Sequence, residues 1–215
     1  MINNLELIKT LIDFPDEDTF YKVEIILRRK DNPDLSSNTK LVKTYYITDI
    51  DKFERIFEKE IKPICDALNA RAMFYLNKRS FEKTAFAALK QVTDCLMTKD
   101  YKSVKRAYNS ACGKTCNGGE GKRWIFDIDE KEENDLIFTV LYDIVTFVGG
   151  KVYARIPTKH GEHIITGVFN LKDFEDKLKQ ELERHPNMHA LQVLSKTDIH
   201  KDNGTILYIP DNEQD

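Results

Sequence analysis

The chain has 215 residues, 41% of them hydrophobic and 32% charged, with a formal net charge of −3. That length buries one large core or two small ones in an ordinary globular composition, and the mild acidity excludes wholesale coating of nucleic acid. The longest apolar runs fall far short of a bilayer span. The first fourteen residues mix Asn, Glu, Lys and Asp among Leu and Ile without the order of a signal peptide, so a cytoplasmic protein with no membrane contact is expected.

In chain order, residues 3–14 read as a short helix stopped by Pro15, and Tyr21–Arg29 and Lys43–Thr48 as β-rich runs joined by a turn-forming segment. Thr48 or Asp49 caps a helix that places Phe53, Ile56, Phe57, Ile61 and Ile64 at helical spacing. Residues 70–78 read as a strand, Ser80 caps a long helix to about Met97, and a further helix spans Tyr101 to about Ala111. Residues 113–121 hold four glycines in nine positions and suggest a boundary between an N-terminal α/β half (1–117) and a second half (118–215) that together form one compact unit.

The second half predicts a strand at Arg123–Asp129, a helix at Glu132–Val148, strands at Val152–Thr158 and Glu162–Phe169, an amphipathic helix at Leu171–Arg184 capped by Asn170, and β-rich runs at Ala190–Ser195 and Thr205–Pro210. With one closing strand this is β-α-β-β-α-β, so the expected fold class is α+β, with a ferredoxin/RRM-like half packed against the N-terminal half. That topology sets the first and third strands side by side and antiparallel. The end of Arg123–Asp129 then meets the start of Glu162–Phe169, which brings Asp127 and Asp129 close to His163.

Charge is unevenly distributed. Seven basic residues lie between Lys99 and Arg123 against Asp100 and Glu120, and six acids follow between Asp127 and Asp135 with only Lys131. Such an order suits a phosphate-guiding surface beside a metal site, but charge alone fits a solvated helix face and an acidic helix N-terminus better. Cys65, Cys95, Cys112 and Cys116 read as reduced thiols, and the Cys112/Cys116 spacing lacks the second pair a zinc finger requires.

The chemistry centres on Asp127 and Asp129. Two apart on a strand, they project from one face while Trp124, Phe126 and Ile128 supply core on the other. Adjacent carboxylates repel unless a cation lies between them or one is protonated, and hard oxygen ligands select Mg²⁺ or Mn²⁺. The connection that follows, residues 157–163, contains Gly161, whose small size lets backbone N–H groups approach a phosphate, with Thr158 and Lys159 as further donors. Residues 70–79 alternate so that Arg71, Tyr75, Asn77 and Arg79 share a face; this face clamps a triphosphate or template backbone, or is simply solvated. Asp198 is the nearest third carboxylate, and Asp202-Asn203-Gly204 reads as a turn.

Together these segments resemble the archaeo-eukaryotic primase (primase–polymerase) superfamily. Residues 125–129 (IFDID) look like its strand ending in hydrophobic-Asp-x-Asp/Glu. Residues 161–163 (GEH) look like its small-x-His motif, and Asp198 is the nearest match to its third acid. The resemblance covers mainly residues 123–198. It implies a nucleotidyltransferase that joins nucleotides through attack of a 3′-hydroxyl on an α-phosphate, with Asp127, Asp129 and Asp198 on Mg²⁺ or Mn²⁺. It also implies that His163 contacts the phosphates and that Arg71, Arg79, Thr158, Lys159 and Gly161 help bind the nucleotide. The implied partners are a nucleoside triphosphate, a DNA or RNA template and a DNA-replication accessory protein. The alternative is a non-catalytic nucleic-acid or protein-binding module that keeps the fold. A haloacid-dehalogenase-type phosphatase would need a Thr shortly after Asp129, where residues 130–132 (EKE) offer none. A polymerase-β-like site would need a helix between Gly118-Gly119 and Asp127, and there is no room for one. A glycosyltransferase with a metal-binding Asp-x-Asp would need a nucleotide-binding half that is not evident.

Overall fold

A computed structural model describes residues 1–115 and 121–211. It is a mixed α+β protein built on two antiparallel sheets. The first sheet contains β1 (Ile2–Asn3), β2 (Thr19–Arg28), β3 (Thr39–Ile47), β4 (Arg71–Ser80) and β9 (Gly204–Ile209) in the order β1-β9-β4-β2-β3. The second contains β5 (Trp124–Ile128), β6 (Val152–Pro157), β7 (Glu162–Thr166) and β8 (Asp198–His200) in the order β6-β7-β5-β8. The expected boundary between residues 117 and 118, together with Cys116, lies outside the described residues. The two halves interleave, because the last strand, β9, pairs with β4 and β1 rather than with the second sheet.

Helix α1 (Leu5–Lys9) is shorter than the pattern over 3–14 suggests. Helix α2 (Ile50–Ile56) is capped by Asp49, whose carboxylate accepts the Lys52 N–H, and runs through a π-helical turn (Phe57–Ile61) into α3 (Lys62–Leu68). Phe53, Phe57, Ile61 and Cys65 lie along it, all buried. They pack with Tyr21, Val23, Ile25, Ala72 and Phe74, which alternate onto one face of the first sheet, as strand periodicity requires. Helix α4 (Phe81–Met97) starts at Ser80, whose hydroxyl accepts the Lys83 N–H. The helix expected over 101–111 is broken into α5 (Tyr101–Val104) and α6 (Ala107–Lys114).

Trp124, Phe126 and Ile128 of β5 and Ile164 of β7 pack under α7 (Asn134–Phe147), α8 (Leu171–Arg184) and α9 (His189–Leu194). Helix α9 corrects the strand expected over 190–195. Ala190, Leu191 and Leu194 are all buried there, a helical spacing that only a helix delivers to this core. The strand that closes the second sheet is β8 instead. Among the described residues no helix is long and apolar enough to cross a membrane.

The opposite face of the second sheet supplies Ile125, Ile156 and Ile165 to the apolar cluster of the first sheet. Asparagine amides join the two units. Asn4 Nδ2 donates to the carbonyls of Pro157 (3.0 Å) and Ile206 (2.9 Å). Asn77 accepts the Arg123 N–H (2.7 Å) and donates to the Arg123 and Lys201 carbonyls (both 3.1 Å). Bonds of this kind, largely shielded from water, hold the sheets at a fixed separation.

Candidate functional site: a cleft between the sheets

Strand alternation builds the site. Ile125 pairs with Ile165 inside the core, and two residues further along the same face the pair is Asp127 with His163. On its other side Asp127 pairs with Asp198, and His163 pairs with Ile156. One row across the four strands therefore reads Ile156, His163, Asp127, Asp198. Directly opposed residues in antiparallel strands have Cβ atoms about 5 Å apart, so the order of strands alone makes these side chains neighbours.

His163 is buried, and both of its ring nitrogens are engaged. Nε2 lies 3.2 Å from Asp127 Oδ1, and Nδ1 lies 2.9 Å from the Thr205 hydroxyl of β9. With the ring proton on Nε2 and directed at the carboxylate, Nδ1 accepts from Thr205, and both contacts are satisfied. The second Asp127 oxygen lies 3.8 Å from His200 Nε2. The His163 hydrogen bond lowers the Asp127 pKa from its ordinary value against the cost of partial burial, with electrostatic help from His163, His200 and Arg28. Asp129 and Asp198 are exposed and make no hydrogen bond or ion pair among the described residues.

Asp127, Asp129, His163 and His200 open onto a cavity of about 490 Å³. Arg28, Arg71, Met73 and Ile206 of the first sheet form one wall, and Asp127, Asp129, His163 and His200 form the other, with Thr158, Lys159 and His160 at the mouth. Arg28, Lys30 and Lys159 line it without forming an ion pair to any described residue, leaving three cations facing a carboxylate pair across an open space. A second hollow of about 350 Å³ joins Asp127, Asp129 and Asp198 on the side of β8.

No family model matches the chain, and no characterised protein or solved structure is found similar to it. The reading of the site therefore rests on its own geometry.

Four of the expected site residues make contacts other than those expected. Both ring nitrogens of His163 are taken, by Asp127 and Thr205, so the ring presents no free nitrogen to a phosphate. Arg79 is not at the cleft. It is fully buried, with Nε donating to the Cys112 carbonyl (2.6 Å), Nη1 to the Asn77 carbonyl (2.8 Å) and Nη2 to Asp202 (2.9 Å). Asp202, which the sequence suggests is only part of a turn, is thus the counter-ion of a buried guanidinium. Arg71 does line the cleft, but its Nε and Nη2 make a bidentate pair with Asp31, both at 2.7 Å. It shapes the wall and anchors Asp31 rather than presenting a free fork. Gly161 spends its N–H on the Thr158 hydroxyl (3.1 Å), closing the hairpin. Its small size serves the protein's own backbone, because a Cβ there would lie 1.9 Å from the Ile128 carbonyl oxygen at the end of β5.

Sequence reasoning passed over Arg28, Lys30, His200 and Thr205. His200 stands two residues beyond Asp198 on one strand face, a signal that was available. Arg28, Lys30 and Thr205 reach the site only through the pairing of distant strands, for which no local pattern exists.

The residues present suit a hard divalent cation in donor type, since Asp127, Asp129 and Asp198 are carboxylates bordering one hollow. Among the described residues, no group of three or more His, Cys, Asp or Glu side chains is already drawn together as a metal cage.

Proposed function

We propose that the cleft is the active centre of a metal-dependent nucleotidyltransferase of primase–polymerase type, acting on nucleoside triphosphates along a nucleic-acid template. The observation that carries this reading is the row His163, Asp127, Asp198 across adjacent strands: His163 and Asp127 line the cavity with Arg28, Lys30 and Lys159, which form no ion pair among the described residues, and Asp127 and Asp198 border the adjoining hollow. The β6-β7-β5-β8 order, with α7 and α8 as the crossovers, supports describing the second half as ferredoxin/RRM-like.

In this reading the chain's own groups divide the work. Arg28, Lys30 and Lys159 receive the negative charge of a triphosphate, whose several anionic oxygens match a cluster of cations better than a lone carboxylate does. His163, held from behind by Thr205, keeps Asp127 ionised and oriented. A change at the ring would therefore move the carboxylate as well. Mg²⁺ or Mn²⁺, held by Asp127, Asp129 and Asp198, would supply Lewis-acid activation of the transferred phosphoryl group and its nucleophile. The buried isoleucine row beneath the site fixes the positions of these side chains through the transfer.

A second reading has an observation of its own. Asp127 already directs both oxygens at histidines, an arrangement that also suits a non-catalytic nucleic-acid-binding module. Thermal melting separates the two. Mn²⁺ with a nucleoside triphosphate is expected to raise the melting temperature of the wild type, because a ligand at a hundred times its Kd stabilises by about 2.7 kcal/mol. The Asp127→Asn/Asp129→Asn variant is expected to lose that rise. An unchanged wild-type melting curve alongside oligonucleotide binding would select the module.

A further inference from the structure

At the opposite end of β5 lies a second groove of different character. It measures about 640 Å³ and is lined by Gly121, Lys122, Gly149, Lys151, Tyr153, Gly167 and Val168, with no carboxylate among them. Three glycines keep its walls low, and Tyr153 and Val168 are exposed in it. The Arg123 guanidinium lies 3.7 Å from the Tyr153 ring centroid and the Lys151 ammonium 5.1 Å from it. Among the described residues none of Lys122, Arg123 and Lys151 forms an ion pair with a carboxylate. Cations that are only partly covered and form no ion pair among the described residues, in a chain of net charge −3, mark a place kept for an anion. A cation-backed aromatic face beside them suits an anion that also carries flat rings.

We propose that this groove binds a single-stranded nucleic acid, with Lys122, Arg123 and Lys151 on the phosphates and Tyr153 stacked against a base. Single-strand sites combine a basic track with an aromatic platform in this way, because every base has a π face and every linkage a charge. An acidic peptide would use the lysines but leave the Tyr153 and Arg123 pair without purpose. The four residue steps from Arg123 to Asp127 span about 14 Å, so the groove and the carboxylates lie at opposite ends of one strand. The inference rests on the template-using reading above for the identity of the polymer.

The experiment is fluorescence anisotropy of a labelled oligothymidylate with the full chain, across a salt series. The wild type is expected to bind with an affinity that falls steeply as salt rises. Lys122→Glu/Lys151→Glu is expected to weaken binding at least tenfold. It should also flatten the logarithmic salt slope by about 1.4, from two lost phosphate contacts at ~0.7 each. Tyr153→Ala is expected to weaken binding roughly fivefold or more. Both variants should melt like the wild type, since none of the altered side chains is buried, and should keep the thermal shift with Mn²⁺ and a nucleoside triphosphate. Absence of wild-type binding, wild-type affinity in both variants, or polyglutamate competing as well as the oligonucleotide would each overturn the groove's assignment. Loss of oligonucleotide binding in the variants of a protein that shows no Mn²⁺–nucleotide shift would instead support the groove and count against the catalytic reading.

Discussion

Asp127→Asn is expected to reduce metal-dependent nucleotide incorporation by about 10³-fold or more, the scale on which a preorganised electrostatic contributor to phosphoryl chemistry acts. The substitution keeps the shape of the side chain and removes its charge. His163 Nε2 then faces a neutral amide instead of a carboxylate, and the cavity loses the anion at the centre of its row. Because Asp127 is a half-buried residue at the rim of the core, the fold should tolerate the change, and the melting temperature should stay close to that of the wild type. The check is incorporation of a labelled nucleotide with Mn²⁺, compared at equal folded concentration. A fall in activity matched by a fall in stability would assign Asp127 a structural part only.

The second large effect concerns Arg79. Its guanidinium is wholly buried and serves Asp202 and the carbonyls of Asn77 and Cys112 together. Removing one partner of such a pair strands the other charge and leaves the carbonyls without donors, a cost of about 3–5 kcal/mol. Arg79→Met is therefore expected to lower the melting temperature by roughly 6–20 °C, at about 2–4 °C per kcal/mol for a chain of this size. A variant that melts like the wild type but fails to bind nucleotide would return Arg79 to the role its place in the alternating pattern first suggested.

The contrast between those two residues shows what a sequence carries. Asp127 was legible because a strand with Trp124, Phe126 and Ile128 on one face must place Asp127 on the other, and because the order of elements sets β5 beside β7. Arg79 shares a face with Arg71 by the same rule of alternation. Alternation identifies a face, however, and not what covers it, and α6 lies over the Arg79 end of that face through the Cys112 carbonyl. Gly161 shows the same limit. The residue type signals a close approach of backbone, while the partner, the Ile128 carbonyl, comes from a strand far away in sequence. The α9 segment was misread because its residues 191–194 (LQVL) form a short apolar run with a β-branched member, too brief for periodicity to separate helix from strand. The positive wall of the cleft was illegible for a different reason. Arg28 reaches it from β2, in the other sheet, and nothing local marks that arginine among the chain's many exposed cations.

The account stands on Asp198 and Asp127 acting from neighbouring strands as one site. The measurement that tests it most directly is Mn²⁺-dependent incorporation of a labelled nucleotide by the wild type and by Asp198→Asn, on the same primed template. The account predicts incorporation by the wild type and a loss in Asp198→Asn comparable to that in Asp127→Asn, with all three proteins folded. A folded wild type that binds the template and incorporates nothing would contradict it, as would an Asp198→Asn variant as active as the wild type.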